Sequence, residues 1–176
     1  MQGWGVRGAP SAPQCLPCDP GTYAESNGQS VCLDCDLGQD AQLPGSRQCT
    51  KCVAGRYAEI GFAECLLCPM GTATNMEGQG VCVACDSGTA APRPGLRKCD
   101  RCTAGRYSGM GGGSQACMLC EPGYQCPFES LAMQQPCPLG KAEPTTGSVQ
   151  CQECQPGTFA DLEGRPACSL CAPGSA

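Results

Sequence analysis

The chain has 176 residues, a net charge of −5, 20 cysteines, no histidine and only 5% aromatic residues. Leu, Ile, Val and Phe total 22, too few to bury one core that offsets the entropy of ordering a chain of this length. That balance excludes a conventional globular domain, and the lack of a long basic stripe argues against nucleic acid or an anionic membrane surface as partner.

Residues 1–14, MQGWGVRGAPSAPQ, carry Pro and Gly and read as an unstructured leader. They lack the apolar segment of a signal peptide, and Trp4 carries no reading. No stretch approaches the roughly 18 apolar residues of a membrane span. Cysteine at this density belongs to an oxidising compartment, so the chain is expected to be part of a longer extracellular or cell-surface protein. The carboxy-terminal CAPGSA fits that expectation, since it stops where another loop would begin.

From Cys15 onward the sequence repeats. Nine Cys-x-x-Cys pairs begin at Cys15, Cys32, Cys49, Cys65, Cys82, Cys99, Cys117, Cys151 and Cys168, mostly 17 residues apart. Residues 15–176 therefore form one array of about nine or ten loops, the last truncated. Three residues after the second cysteine of each unit stands a glycine: Gly21, Gly38, Gly55, Gly71, Gly88, Gly105, Gly123, Gly140, Gly157 and Gly174. A second glycine precedes the next pair by four residues, from Gly28 through Gly164, except where Ser130 takes its place. Two fixed glycines imply two fixed turns per loop.

No segment has helical periodicity, and runs between turns are three to five residues. The expected fold class is a tandem array of small disulfide-rich repeats: elongated, built of short irregular β-hairpins, with little or no helix and no single hydrophobic core. Each unit is expected to contact only its neighbours. Tyr23, Tyr57, Tyr107 and Phe159 share one position, two after the fixed glycine, where a ring is expected to cover the neighbouring disulfide. The double-length gap between Cys117 and Cys151 holds Cys126 and Cys137. There Gln134 stands where a pair's first cysteine belongs, with Cys126 a candidate substitute.

Three chemistries use Cys-x-x-Cys: structural disulfides, four-cysteine zinc sites in an intracellular chain, and thiol–disulfide exchange. Even spacing, nine equivalent pairs and the lack of histidine favour disulfides. Two connectivities remain open. One pairs first with third and second with fourth cysteine in sets of four. The other closes each loop on itself: Cys18–Cys32, Cys35–Cys49, Cys52–Cys65, Cys68–Cys82, Cys85–Cys99, Cys102–Cys117, Cys120–Cys126, Cys137–Cys151 and Cys154–Cys168, leaving Cys15 and Cys171 unassigned. The second scheme matches the glycine register loop by loop. No catalytic, cofactor-binding or metal-ligating residue is expected. Gly109–Ser114 lacks the spacing of a phosphate loop, Asn27 and Asn75 begin no glycosylation sequon, and Arg47, Arg93, Arg97, Lys98 and Arg101 read as ordinary solvated surface.

The segments CLPCDPGTYAESNGQSVCLDC and CQECQPGTFADLEGRPACSLC resemble the cysteine-rich repeat of the ephrin-receptor-like family. That repeat is itself similar to the first submodule of tumour necrosis factor receptor domains. CEPGYQCPFESLAMQQPCPLG is similar to a variant unit interspersed among such repeats. The resemblance runs from Cys15 to Gly174, with Asp40, Ala73, Ala90, Gln125 and Ala142 departing from the aromatic position. It implies a non-catalytic extracellular array used for spacing, oligomerisation or contact with a protein ligand or neighbouring subunit. Any membrane attachment would come through other parts of the parent protein. No kinase motif is present.

Overall fold

The computed structural model describes residues 4–6 and 15–174. Among these residues there is no helix. Twenty strands, all but two of them two residues long, pair into ten two-stranded sheets. The pairing follows from where the turns fall. Strand β1 (Trp4–Val6) pairs antiparallel with β2 (Cys15–Pro17), and β3 (Thr22–Tyr23) pairs with β4 (Leu33–Asp34). From β3 onward the same hairpin recurs. Its first strand is the dipeptide after the fixed glycine, and its second is the dipeptide inside the next Cys-x-x-Cys, as in Arg56–Tyr57 with Leu66–Leu67 and Thr158–Phe159 with Ser169–Leu170.

The pairing of β1 corrects the expectation of an unstructured leader at three residues: Trp4, Gly5 and Val6 lie opposite Pro17, Leu16 and Cys15. The dipeptide inside the first Cys-x-x-Cys thereby gains the strand partner that every later one takes from its own loop. The remaining leader residues lie outside the described ones.

Both fixed glycines have the left-handed backbone that L side chains resist: Gly21 has φ 87° and Gly61 has φ 75°. Ser130, standing where a second-turn glycine is due, is the only non-glycine described with positive φ, at 59°. It still makes the bond of that position, donating its N–H to the Cys102 carbonyl at 2.8 Å, as Gly78 does to Cys52. The repeat geometry overrides the residue's own preference, at a cost of about 1–2 kcal/mol.

The chain divides into two compact units, Met1–Val83 with Arg93–Lys98, and Ala84–Pro92 with Cys99–Ala176. Numbering the loops by disulfide, with Cys18–Cys32 as loop 1, the first unit shows how they interlock. Gly21 of loop 1 donates to the Ala41 carbonyl of loop 2 at 2.8 Å, and Gly45 of loop 2 donates back to the Cys18 carbonyl at 2.8 Å. The contact also reaches past the neighbour. A methyl group on Gly21 would strike the Gly61 carbonyl of loop 3, one on Gly38 the Gly78 carbonyl of loop 4, and one on Gly55 the Gly95 carbonyl of loop 5. In the second unit Gly88 faces Ser130, Gly105 faces Gly147 and Gly123 faces Gly164 in the same way. Contact only between neighbouring loops is therefore corrected: within each unit, loop n touches loop n+2 backbone to backbone, and absence of a side chain makes this possible.

Candidate functional site: the cysteine ladder

The dipeptide between each pair of cysteines is extended, and residues three apart on an extended strand point to opposite faces. A Cys-x-x-Cys in this fold therefore cannot bond to itself; one thiol faces the loop just completed, the other the loop to come. The structure joins Cys18–Cys32, Cys35–Cys49, Cys52–Cys65, Cys68–Cys82, Cys85–Cys99, Cys102–Cys117, Cys137–Cys151 and Cys154–Cys168, with sequence separations of 13 to 15. Their Cα atoms lie 5.5–5.7 Å apart. Cys15, exposed, and Cys171, half-buried, are free thiols. With eighteen cysteines in disulfides, the thiolates that a series of four-cysteine zinc sites would require are already consumed.

The loop after Cys120 departs from its siblings. Cys120 bonds to Cys126, only six residues on, with Cα atoms 6.3 Å apart. At the far end of the loop, where a cysteine is due, Gln134 accepts the Glu121 N–H at 2.8 Å and donates its amide to the Glu121 carboxylate at 3.1 Å. A two-bond side-chain clip thus ties the loop end back beside Cys120, the place where a disulfide closes every other loop.

The four rings are only partly withdrawn from solvent. Tyr23, Tyr57 and Tyr107 are half-buried, and Phe159 is 42% exposed. The buried position is one residue further on: Ala24, Ala41, Ala58, Thr74, Ala91, Ser108, Cys126, Glu143 and Ala160 are all at most 7% exposed. Ala58 sits with Cys52 and Cys65, and the ring packed against that cluster is Phe62. The miniature core of a loop is its disulfide and one small residue. This position was visible in the sequence as Ala24, Ala41, Ala58, Ala91 and Ala160, each three after the fixed glycine, and the more conspicuous aromatics beside it masked the signal.

Where the aromatic is missing, two loops use the position differently. The Asp40 carboxylate, in a residue 5% exposed, accepts the Cys65 N–H at 3.2 Å and the Gln42 amide at 3.0 Å. Gln125 likewise accepts the Cys151 N–H at 3.0 Å. Ala73, Ala90 and Ala142 are simply buried. Glu143 is the one carboxylate placed at the small-residue position, 2% exposed. It accepts the Thr145 hydroxyl at 2.6 Å and the Thr145 N–H at 3.0 Å. The Thr145 hydroxyl bond, supported by the Thr145 N–H and the Ser148 hydroxyl, holds its carboxyl below the ordinary glutamate range against the opposing effect of burial.

With the fold and ladder in view, comparison with known proteins adds one match. The family model for tyrosine-protein kinase ephrin type A/B receptor-like sequences matches residues 55–97, from the first turn of loop 3 into loop 5. No curated protein matches the chain significantly. Over those residues the cysteine-rich repeat is similar to the ephrin-receptor-like one, a non-catalytic type of module. No helix among the described residues is long and apolar enough to cross a membrane.

Proposed function

We propose that the chain is a non-catalytic extracellular region of a receptor, adhesion or spacer protein, presenting loop surfaces to a protein ligand or a neighbouring subunit. One observation carries this reading: loops are fixed to one another through glycine backbone, buried cysteine and one small residue, so most remaining side chains are free to vary without disturbing the frame. The large apolar residues Val31, Leu43, Ile60, Met76 and Leu162 are all exposed, which suits a frame whose chemistry of recognition lies on its surface. Nine disulfides require an oxidising compartment, and the ephrin-receptor-like match supports a receptor-type module.

Expression through a eukaryotic secretory route, followed by alkylation without reduction, tests the reading. The expected product is secreted, takes up two alkyl groups at Cys15 and Cys171, and, after their mass is subtracted, is lighter than the fully reduced chain by roughly 18 Da, two hydrogens for each bridge. Recovery of folded protein only from a reducing cytosol, with twenty alkylatable thiols and stoichiometric zinc, would overturn it.

A further inference from the structure

The tip of loop 5 inverts the charge of the chain. Between residues 93 and 101 stand Arg93, Arg97, Lys98 and Arg101 against a single acid, Asp100. Those nine residues carry +3, so the rest of the chain carries −8. Three of the cations, Arg93, Arg97 and Lys98, lie on one turn, and all three are exposed. None forms an ion pair or a side-chain hydrogen bond among the described residues. Five cations elsewhere do, among them Arg165, held by Asp161 at 2.9 Å, Lys141, facing Glu153 at 3.5 Å, and Arg47, donating to Asn27 at 3.2 Å, whereas Lys51 and Arg101 stand apart from one another in the sequence without such partners among the described residues.

The turn that carries them is fixed. Gly95 donates to the Cys68 carbonyl at 2.8 Å, the Leu96 carbonyl accepts from Thr74 at 3.3 Å, and the Cys85–Cys99 disulfide closes the loop. Leu67 packs on Gly95, and the stem of Arg97 runs alongside Gly55. Pro92 and Pro94 flank Arg93 and restrict its backbone further. Three uncompensated charges on a rigid turn bind a polyanion without the cost of ordering the backbone beneath them.

We propose that the turn of Arg93, Arg97 and Lys98 is a binding site for a sulfated polysaccharide. A planar guanidinium pairs two N–H donors with two oxygens of a tetrahedral sulfate, and one short turn suits a few successive sulfates. The −8 carried by the rest of the chain repels any long polyanion, so the site suits a short sulfated segment that touches the turn alone rather than a duplex or a bilayer. This site rests on the extracellular reading above, because sulfated polysaccharides lie outside cells.

The test uses the secreted, oxidised chain and a size-defined heparin oligosaccharide, with titration calorimetry at two salt concentrations. Binding should weaken as NaCl rises. The triple variant R93A/R97A/K98A should bind about tenfold or more weakly, while R47A binds as the parent does. An unchanged disulfide count by mass and an unchanged circular dichroism spectrum would assign the loss to the removed charges. Equal binding by the triple variant, equal binding of the desulfated oligosaccharide, or tighter binding of single-stranded DNA or phosphatidylserine vesicles would each overturn the proposal. A chain that is secreted with its disulfides yet ignores heparin sinks this site alone; a chain that folds only reduced with zinc sinks the extracellular reading beneath it.

Discussion

Glycine at this register has two separable jobs, and the loops allow them to be measured apart. At Gly21 a side chain is opposed by the backbone angle, φ 87°, and by the Gly61 carbonyl of loop 3; at Gly157, φ 83°, nothing lies within 4 Å of where a Cβ would stand. Gly157→Ala should cost only the left-handed penalty, about 1–2 kcal/mol. Gly21→Ala adds a backbone clash and should cost about 3 kcal/mol or more, read as a difference in denaturant midpoint at unchanged slope. Equal losses would mean that the contact between loops n and n+2 contributes nothing. Glu143 makes a second residue-level case. Its folded carboxyl titrates below the ordinary glutamate value, so its contribution is complete above the unfolded pKa, near 4.3, and is lost as pH falls from there through the lowered folded value. Glu143→Gln should be less stable by about 1 kcal/mol at pH 7, and the gap should close on acidification. A gap of unchanged size as the pH falls through the carboxyl's own titration would show the carboxylate charge to be irrelevant. In the sequence this glutamate looks like any surface acid, because its burial depends on a position defined only by comparing loops.

At the level of one element, loop 7 shows that closure can be achieved by other means than a long-range disulfide. Its bridge encloses six residues of separation, whereas that of loop 3 encloses thirteen. The chain-entropy model then assigns roughly 2 kcal/mol to the first and roughly 3 to the second. Removing Cys120–Cys126 also leaves the Gln134–Glu121 clip in place, and alanine at 126 is the residue that five sibling loops carry there. The double variant C120A/C126A should therefore lose less stability than C52A/C65A, by about 1 kcal/mol or more, in denaturation without reductant. If C120A/C126A proves the more damaging, the amide clip does not close the loop. How far the sequence revealed these elements follows the same division. The hairpins, both turns and the departure of loop 7 were legible because cysteine and glycine are rigid in spacing and strict in conformation. The strand formed by Trp4–Val6 and the reach of loop n to loop n+2 were not, and the small buried position, present as a recurring alanine, was hidden beside the aromatics. The reach joins residues about 40 positions apart, as Gly21 and Gly61 are, and a 17-residue register does not say which copies touch.

Across the molecule, the absence of one apolar core changes what a local lesion should do. Loop 3 accepts the Gly78 N–H at the Cys52 carbonyl and the Gly38 N–H at the Ala58 carbonyl, and it receives Gly21 against Gly61 and sets Gly55 against Gly95. Its direct dependants are therefore loops 1, 2, 4 and 5. Stability in such arrays is a sum of each repeat's own term and its interface terms, so damage spreads over a short range. Hydrogen exchange on C52A/C65A should accordingly show faster exchange at the amides of Gly38, Gly61 and Gly78. The Gly140 amide, bonded to the Ala160 carbonyl at 2.9 Å, and the Glu143 amide, bonded to the Arg165 carbonyl at 3.3 Å, should keep their parent rates. Uniform acceleration at every amide would mean that the chain unfolds as one cooperative body. The disulfides would then be reinforcing a shared core that its 22 large aliphatic and phenyl side chains are too few to build. Full reduction separates the two cases again: a ladder held loop by loop loses protection in stages as bridges open, whereas a single core retains it until one bridge too many is gone.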